Sequence, residues 1–254
     1  MDEIRTTAIL GASGQMGRLY ARRCREAGLE VRELGRPYDE ASLRDGIRGA
    51  EQVLLSVPAW ALEDLLQKLV PLMAPGQILS DNTSVKVLPM RLMREHWQGP
   101  VVGTHPLFGP EPPPELQRVA VTPGPSQEDA AAGRAVDVWQ RRLGFTPFLT
   151  TAEEHDEAMA HIQGLNFVTS VAYLATLSQR EDMLPFLTPS FHRRLEAARK
   201  MLTEDAQLFA TLFETNPYGQ DAVRRYRNFL HVAAGGDVDL LVQQAQWWWR
   251  GDDD

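Results

Sequence analysis

The segment Gly11-Ala12-Ser13-Gly14-Gln15-Met16-Gly17 follows a short apolar run, Thr7–Leu10, and opens a helical stretch, Gly17–Ala27. The chemistry available at such a place is anion binding. The chain must turn sharply, let a pyrophosphate approach its backbone and start a helix close to a sheet, and glycines permit all three. The helix N-terminus adds free N–H groups and a partial positive charge. The turn also lies inside a strand–helix–strand pattern, the context that gives a glycine motif meaning. Gly11, Ser13, Gly14, Gln15, Met16 and Gly17 are therefore candidate ligands of a dinucleotide. The next apolar segment, Glu30–Leu34, should end beside the adenosine ribose. An acid there suits the ribose 2′-hydroxyl of NAD, and an arginine the 2′-phosphate of NADP. Gly35 stands in the acid's place and Arg36 follows, which favours NADP; Glu33 would serve NAD if the strand ended earlier.

The elements that position this turn alternate along the first half. Gln52–Val57 reads as a strand stopped by Pro58, Ala61–Leu72 has helical spacing, and Gln77–Ser80, Val101–Val102 and Val119–Val121 are strand-like. Strands separated by helices imply a parallel sheet with crossovers. From Glu153 onward the β pattern fades. Ile162, Leu165, Val168, Ala172 and Ala175 recur at helical spacing, and Phe191–Glu214, Gln220–Ala234 and Val238–Trp249 read as further helices. The expected fold is thus α/β: a Rossmann-type dinucleotide-binding domain over residues 1–150, then an all-helical domain over 151–254.

Composition narrows the function classes. The chain has 254 residues, 43% hydrophobic and 24% charged, which excludes a mostly disordered or fibrous protein. A formal charge of −8 is a poor match for nonspecific nucleic-acid binding. The single cysteine, Cys24, allows no disulfide framework and no cysteine-based zinc site, and no metal is expected. Arg22, Arg23 and Arg25 around it would lower its pKa if it were exposed; a half-buried helix position is the plainer reading. Met1–Leu10 has no signal-peptide core, and Ile162–Gln179, the longest uncharged run, carries too many polar residues for a membrane span. A cytoplasmic location is expected. Asp252–Asp254 read as a solvated tail.

Four segments together resemble the prephenate dehydrogenases of tyrosine biosynthesis. They are the glycine turn, Leu55-Ser56-Val57-Pro58, Asp81-Asn82-Thr83-Ser84-Val85-Lys86 and, most specifically, His105-Pro106-Leu107-Phe108-Gly109-Pro110. The resemblance continues through Glu154-His155-Asp156, Ile162-Gln163 and Glu204-Asp205-Ala206. It is strongest to the dehydrogenase part of enzymes that also carry chorismate mutase, and a stand-alone catalytic core is expected. The resemblance implies hydride transfer from C4 of prephenate to a nicotinamide, with loss of CO2 from C1.

In that chemistry His105 would accept the C4 hydroxyl proton, a task suited to an unperturbed imidazole pKa of about 6.5. By resemblance Ser84 would hydrogen-bond near the reacting hydroxyl, the nicotinamide and His105, while an ordinary helix N-cap role stays open. Lys86 would stabilise this loop, and Ser56, Val57 and Pro58 would pack along the cofactor. The family places arginines on a second-domain helix to hold the substrate carboxylates. Here Lys200 and His192 occupy those positions: the lysine keeps the charge but loses the bidentate fork, and the histidine supplies charge only when protonated. Gln163 and His161 are further candidates for the same cleft. These departures leave arogenate and 4-amino-4-deoxyprephenate open as substrates, and a nucleotide sensor without catalysis open as a function. A β-hydroxyacid dehydrogenase would need a lysine on the first long helix of the second domain, and residues 151–180 contain none. Trp247, Trp248 and Trp249 cannot all face one side of a helix. With the family's helical dimer, they lead to the expectation of a homodimer.

Overall fold

The computed structural model describes residues 3–250. The chain divides into two compact units, Met1–Asp156 and Glu157–Asp254, which brings His155 and Asp156 into the first. That unit runs β1 (Thr6–Leu10), α1 (Gln15–Glu26), β2 (Glu30–Leu34), α2 (Glu40–Ile47), β3 (Gln52–Leu55), α3 (Leu62–Leu69), β4 (Ile78–Asp81), α4 (Val87–His96), β5 (Val101–Pro106), β6 (Arg118–Pro123), α5 (Gln127–Arg142) and β7 (Thr146–Leu149). The strands form one seven-stranded sheet in the order β2-β1-β3-β4-β5-β6-β7. Strands β1, β3, β4 and β5 are wholly buried, as strands covered on both faces must be. One apolar layer gathers Leu19, Tyr20, Cys24, Val136 and Trp139 from α1 and α5. Another gathers Leu43, Leu62, Leu66 and Met93 from α2, α3 and α4.

The alternation implies a parallel sheet, and the structure departs from that at one strand: β6 runs antiparallel to β5, with His105 opposite Ala120. The only link between β5 and β6 is the proline-bearing loop, and without a crossover helix the chain returns beside its own strand. Several elements carry weaker signals than the expected ones. Helices α2, α4 and α5 and strand β7 were not legible as periodic runs, and α5 is held by a capping box of Ser126 and Asp129. Strand β3 stops at Leu55, short of Val57, and α3 is flanked by 3-10 turns.

Cys24 is fully buried, not half-buried, and desolvation pushes its thiol up to about 12 against the opposing charge of Arg25. The arginines beside it in sequence do not activate it.

The second unit is helical. Helix α6 (Ala152–Met159) leads into it, followed by α7 (Asn166–Ala175), α8 (Pro189–Thr203), α9 (Ala206–Thr215), α10 (Gly219–Ala234) and α11 (Val238–Ala245). Between α6 and α7, residues Ala160–Leu165 form a π-helical segment where spacing alone reads continuous α-helix. The stretch Phe191–Glu214 breaks into α8 and α9 at Glu204-Asp205, whose N–H groups both return to the Lys200 carbonyl. No helix among the described residues is long and apolar enough to cross a membrane. Asp252–Asp254 lie outside the described residues.

Candidate active site

The loops that follow β1, β3 and β4, and the end of β5, share the carboxyl edge of the sheet, where open α/β sheets collect ligands. The glycine turn is packed too tightly for side chains. Gly11 has φ +88°, and a Cβ on it would sit 2.2 Å from the Ser56 carbonyl oxygen; one on Gly17 would sit 2.3 Å from the Gly11 oxygen. These two glycines let the turn, the β3 end and α1 close on one another. Ser13, Gly14 and Gln15 stay exposed above them and Met16 is partly buried. Gly14 caps α1 without a side-chain hydrogen bond, and the first turn of α1 carries no acid. That leaves N–H groups and the helix dipole open to an anion. The structure thus fits a dinucleotide: Gly11–Gly17 would hold the pyrophosphate. Strand β2 ends at Leu34, whose carbonyl accepts from Gly11 and Ala12, so Gly35 and Arg36 follow the strand end beside this turn.

Ser56 ties the neighbouring loops together. Its N–H donates to Leu10 O at 2.8 Å, and its hydroxyl accepts from Asn82 Nδ2 at 3.1 Å. Val57 is buried below Gly11, and Pro58 opens the 3-10 turn Ala59–Ala61. Ser84 is half-buried in the loop after β4. It is not the cap of the next helix: α4 begins at Val87, with Lys86 in the N-cap position.

The α4 cap comes from elsewhere in the chain. Asp156, on α6, accepts the Lys86 N–H at 2.7 Å on Oδ1 and the Val87 N–H at 2.8 Å on Oδ2. Beneath this cap the Lys86 side chain is fully buried. Its ammonium donates to Asp81 Oδ2 at 2.5 Å, Thr104 O at 2.7 Å and Thr83 Oγ1 at 3.3 Å. Burial lowers the Lys86 pKa, and the Asp81 carboxylate opposes that shift. A buried ion pair is tolerable only with this degree of hydrogen bonding. The pair therefore fixes the ends of β4 and β5 and the loop carrying Ser84.

His105 is 3% exposed at the end of β5. Its Nδ1 lies 2.8 Å from His155 Nε2, and His155 Nδ1 lies 2.8 Å from Asp156 Oδ1. A carboxylate only accepts, so the His155 proton sits on Nδ1 and Nε2 of the neutral ring becomes an acceptor. His105 then donates from Nδ1, and its Nε2 keeps a lone pair. Burial drives the His105 pKa well below 6.5, and His155 and Lys86 push the same way. His105 is a neutral imidazole in one tautomer, with one nitrogen engaged and the other a base.

The four predicted substrate ligands belong to the second unit. His161 is exposed and Gln163 half-buried on the π-helical segment, a local geometry often found at functional sites. His192 and Lys200 are exposed on α8, two turns apart. The Lys200 ammonium lies 4.0 Å from Asp205. An exposed pair of that length contributes at most about 1 kcal/mol and leaves the lysine available.

Spacing gives no role to His155, Asp156 or Asp81. His155 lies 50 residues from its partner His105, and only the tertiary fold joins them. The available signal was Lys86, one of three lysines in an arginine-rich chain.

Comparison with known proteins is consistent with this geometry. Residues 20–140 match a family model described as "Prephenate dehydrogenase, nucleotide-binding domain". The match takes in Ser84 and His105 and begins after the glycine turn. The T-protein of Enterobacter agglomerans is 31% identical over 250 residues, 95% of this chain and 64% of that protein. The probable arogenate/prephenate dehydrogenase of Methanocaldococcus jannaschii is 25% identical over 232 residues, 84% of this chain and 52% of that protein. The chain therefore spans between half and two thirds of these relatives' lengths. Among solved structures, prephenate dehydrogenase from A. aeolicus, in complex with hydroxyphenyl propionate and NAD+, superposes with a TM-score of 0.77. It is 19% identical, and the likeness, which covers 96% of each chain, shows the shared fold.

Proposed function

The chain belongs to the prephenate dehydrogenase family, and on that premise we propose that it oxidatively decarboxylates prephenate to 4-hydroxyphenylpyruvate. Residues Gly11–Gly17, Ser56, Val57 and Pro58 hold the cofactor, and Gly35-Arg36 after the end of β2 favour NADP over NAD. The bound nicotinamide supplies the hydride acceptor for C4. His105 Nε2 takes the C4 hydroxyl proton as that hydride leaves, and Nδ1 stays held by His155. As the bond from C1 to its carboxylate breaks, the electron pair enters the ring and reaches the C4 oxygen. His105 returns the proton to that oxygen, so no net proton is consumed. Ser84 orients the hydroxyl. Lys200 and His192, with Gln163 and His161, hold the carboxylates of the dianion. The carrying observation is the chain His105–His155–Asp156, which leaves His105 neutral with one free basic nitrogen.

The helical unit would also be the dimer interface. Its surface keeps Phe186 80% and Trp248 73% exposed, large apolar side chains that a second copy would cover. The enzyme would act in the cytoplasm.

The test is nicotinamide reduction with prephenate, arogenate and 4-amino-4-deoxyprephenate, each with NAD and with NADP. Prephenate turnover that falls about 10²–10⁴-fold in His105→Asn is the expected result. Turnover of an amino analogue alone would make Lys200 and His192 the specificity change, a second reading favoured by the loss of both arginine forks. Cofactor binding without turnover of any substrate would overturn the enzymatic reading in favour of a sensor.

A further inference from the structure

A cavity of about 660 Å³ opens between the end of β2 and the start of α3, lined by Arg36, Tyr38, Val57, Trp60, Asp64 and Lys68. It lies beside the glycine turn, since Val57 packs against Gly11 and Leu34 O holds the Gly11 N–H. Three observations define its chemistry. First, the nearby acids that could bind a ribose diol are engaged elsewhere. Glu33 is paired with Arg25 of α1, and Asp39 caps α2 through the Ser42 N–H at 2.9 Å and hydroxyl at 2.8 Å. Second, Arg36 and Lys68 are exposed and make no ion pair among the described residues, while Asp64 sits one turn before Lys68 on α3. Two cations thus face one carboxylate. Third, the Trp60 indole is 70% exposed in the 3-10 turn Ala59–Ala61 between β3 and α3, with the Arg36 guanidinium 5.8 Å from its ring centroid. A large aromatic face left in water at this edge is a stacking surface for a purine, and the guanidinium over it can grip the base and a phosphate together.

We propose that this cavity is the adenosine 2′-phosphate pocket, with Trp60 as the shelf for adenine and Arg36 and Lys68 as the cations for the phosphate. The assignment rests on the dinucleotide reading of the glycine turn and deepens it by naming what selects the cofactor.

The test uses probes without a nicotinamide, so it is independent of turnover. Binding of 2′,5′-ADP and of 5′-ADP is titrated by calorimetry on the full chain and on Arg36→Ala, Lys68→Met and Trp60→Ala. All three positions are exposed, so folding is preserved, and circular dichroism checks it. The expected result is at least roughly tenfold tighter binding of 2′,5′-ADP than of 5′-ADP, as one charge-assisted contact supplies. That preference should vanish in Arg36→Ala and shrink in Lys68→Met, while Trp60→Ala should weaken both probes by a similar factor. Equal binding of the two probes to the unaltered chain, or a preference that survives Arg36→Ala, overturns the assignment and leaves the dinucleotide site standing. Failure of both probes to bind overturns the assignment and the dinucleotide site together.

Discussion

In the sheet-bearing unit, four central strands are wholly buried, and the ionic groups at their carboxyl ends pair within the unit: Lys86 with Asp81 Oδ2, and Asp156 with the N–H groups that open α4. In the helical unit, α7, α9 and α11 contain no fully buried residue, although all three are rich in apolar side chains. Leu184, Phe186, Leu208, Trp247, Trp248 and Trp249 are each more than half exposed. The first unit therefore sets its proton chemistry with its own residues. The second carries apolar surface that the proposed dimer would cover. Substitutions in the first should change chemistry or stability directly, and those at the exposed apolar side chains of the second should act through assembly.

The largest effect is expected from Asp156→Asn. An amide nitrogen in the Oδ1 place gives up the Lys86 N–H bond and donates to His155 Nδ1, so the proton of that ring moves to Nε2, which then donates to His105 Nδ1. His105 would then carry its own proton on Nε2 and lose its basic nitrogen, the wrong-tautomer outcome known to be costly in comparable triads. Turnover should fall about 10²-fold or more with KM nearly unchanged, and the pH profile should change shape. A variant that lost thermal stability alone, with an unaltered pH profile, would reduce Asp156 to a helix cap and break the distinction.

Next comes Lys86→Met, expected to destabilise the fold by about 3–5 kcal/mol because Asp81 is left buried and uncompensated. Adding Asp81→Leu should recover much of that loss, since a buried pair replaced as a whole is often neutral. Urea unfolding of the single and double variants measures both. If Lys86→Met were silent, the ionic core would not be what holds the Ser84 loop.

What could be read from the sequence follows the same division. The glycine turn, β2 and the position of His105 were legible because each is a local pattern with one physical cause. Strand β2 was read to its observed limits, Glu30–Leu34, which placed Arg36 just past the strand end. The partners of His105 were not legible, because nothing local distinguishes a histidine whose ring will meet His105 edge-on, with centroids 5.0 Å apart, from one that is solvated. Helix α4 was missed because its N-terminal signal is absent from its own segment and supplied by Asp156. The π-helical segment preserves apolar spacing well enough to pass as α-helix.

A smaller effect is expected from Phe186→Asp or Trp248→Asp in the helical unit. Hot-spot aromatics contribute about 2 kcal/mol or more to an interface, so the proposed dimer should dissociate at roughly thirtyfold higher concentration. Sedimentation at several concentrations would show it, and the urea midpoint of the sheet-bearing unit should not move. A monomer in the unaltered chain at any concentration would leave the exposed apolar surface without its proposed cover.

The smallest effect is the pH dependence of stability carried by His105. Its pKa in the folded protein lies well below 6.5 because of burial, so the folded state prefers the neutral ring. Above about pH 6.5 neither state binds the proton, and the contribution to stability is fully present. As pH falls below that value, the unfolded chain takes up a proton that the folded chain refuses, and stability declines until the folded pKa is reached. Each unit of pH in this window costs at most about 1.4 kcal/mol from a single group. His105→Asn removes the titration, so its urea midpoint should fall less between pH 7 and pH 5.5 than that of the unaltered chain. The same depressed pKa places the acid limb of kcat/KM below pH 6.5, because the base stays unprotonated there. An acid limb at or above 6.5, together with identical midpoint shifts in the two proteins, would mean that His105 is solvated in solution and that the His155 contact does not set its state.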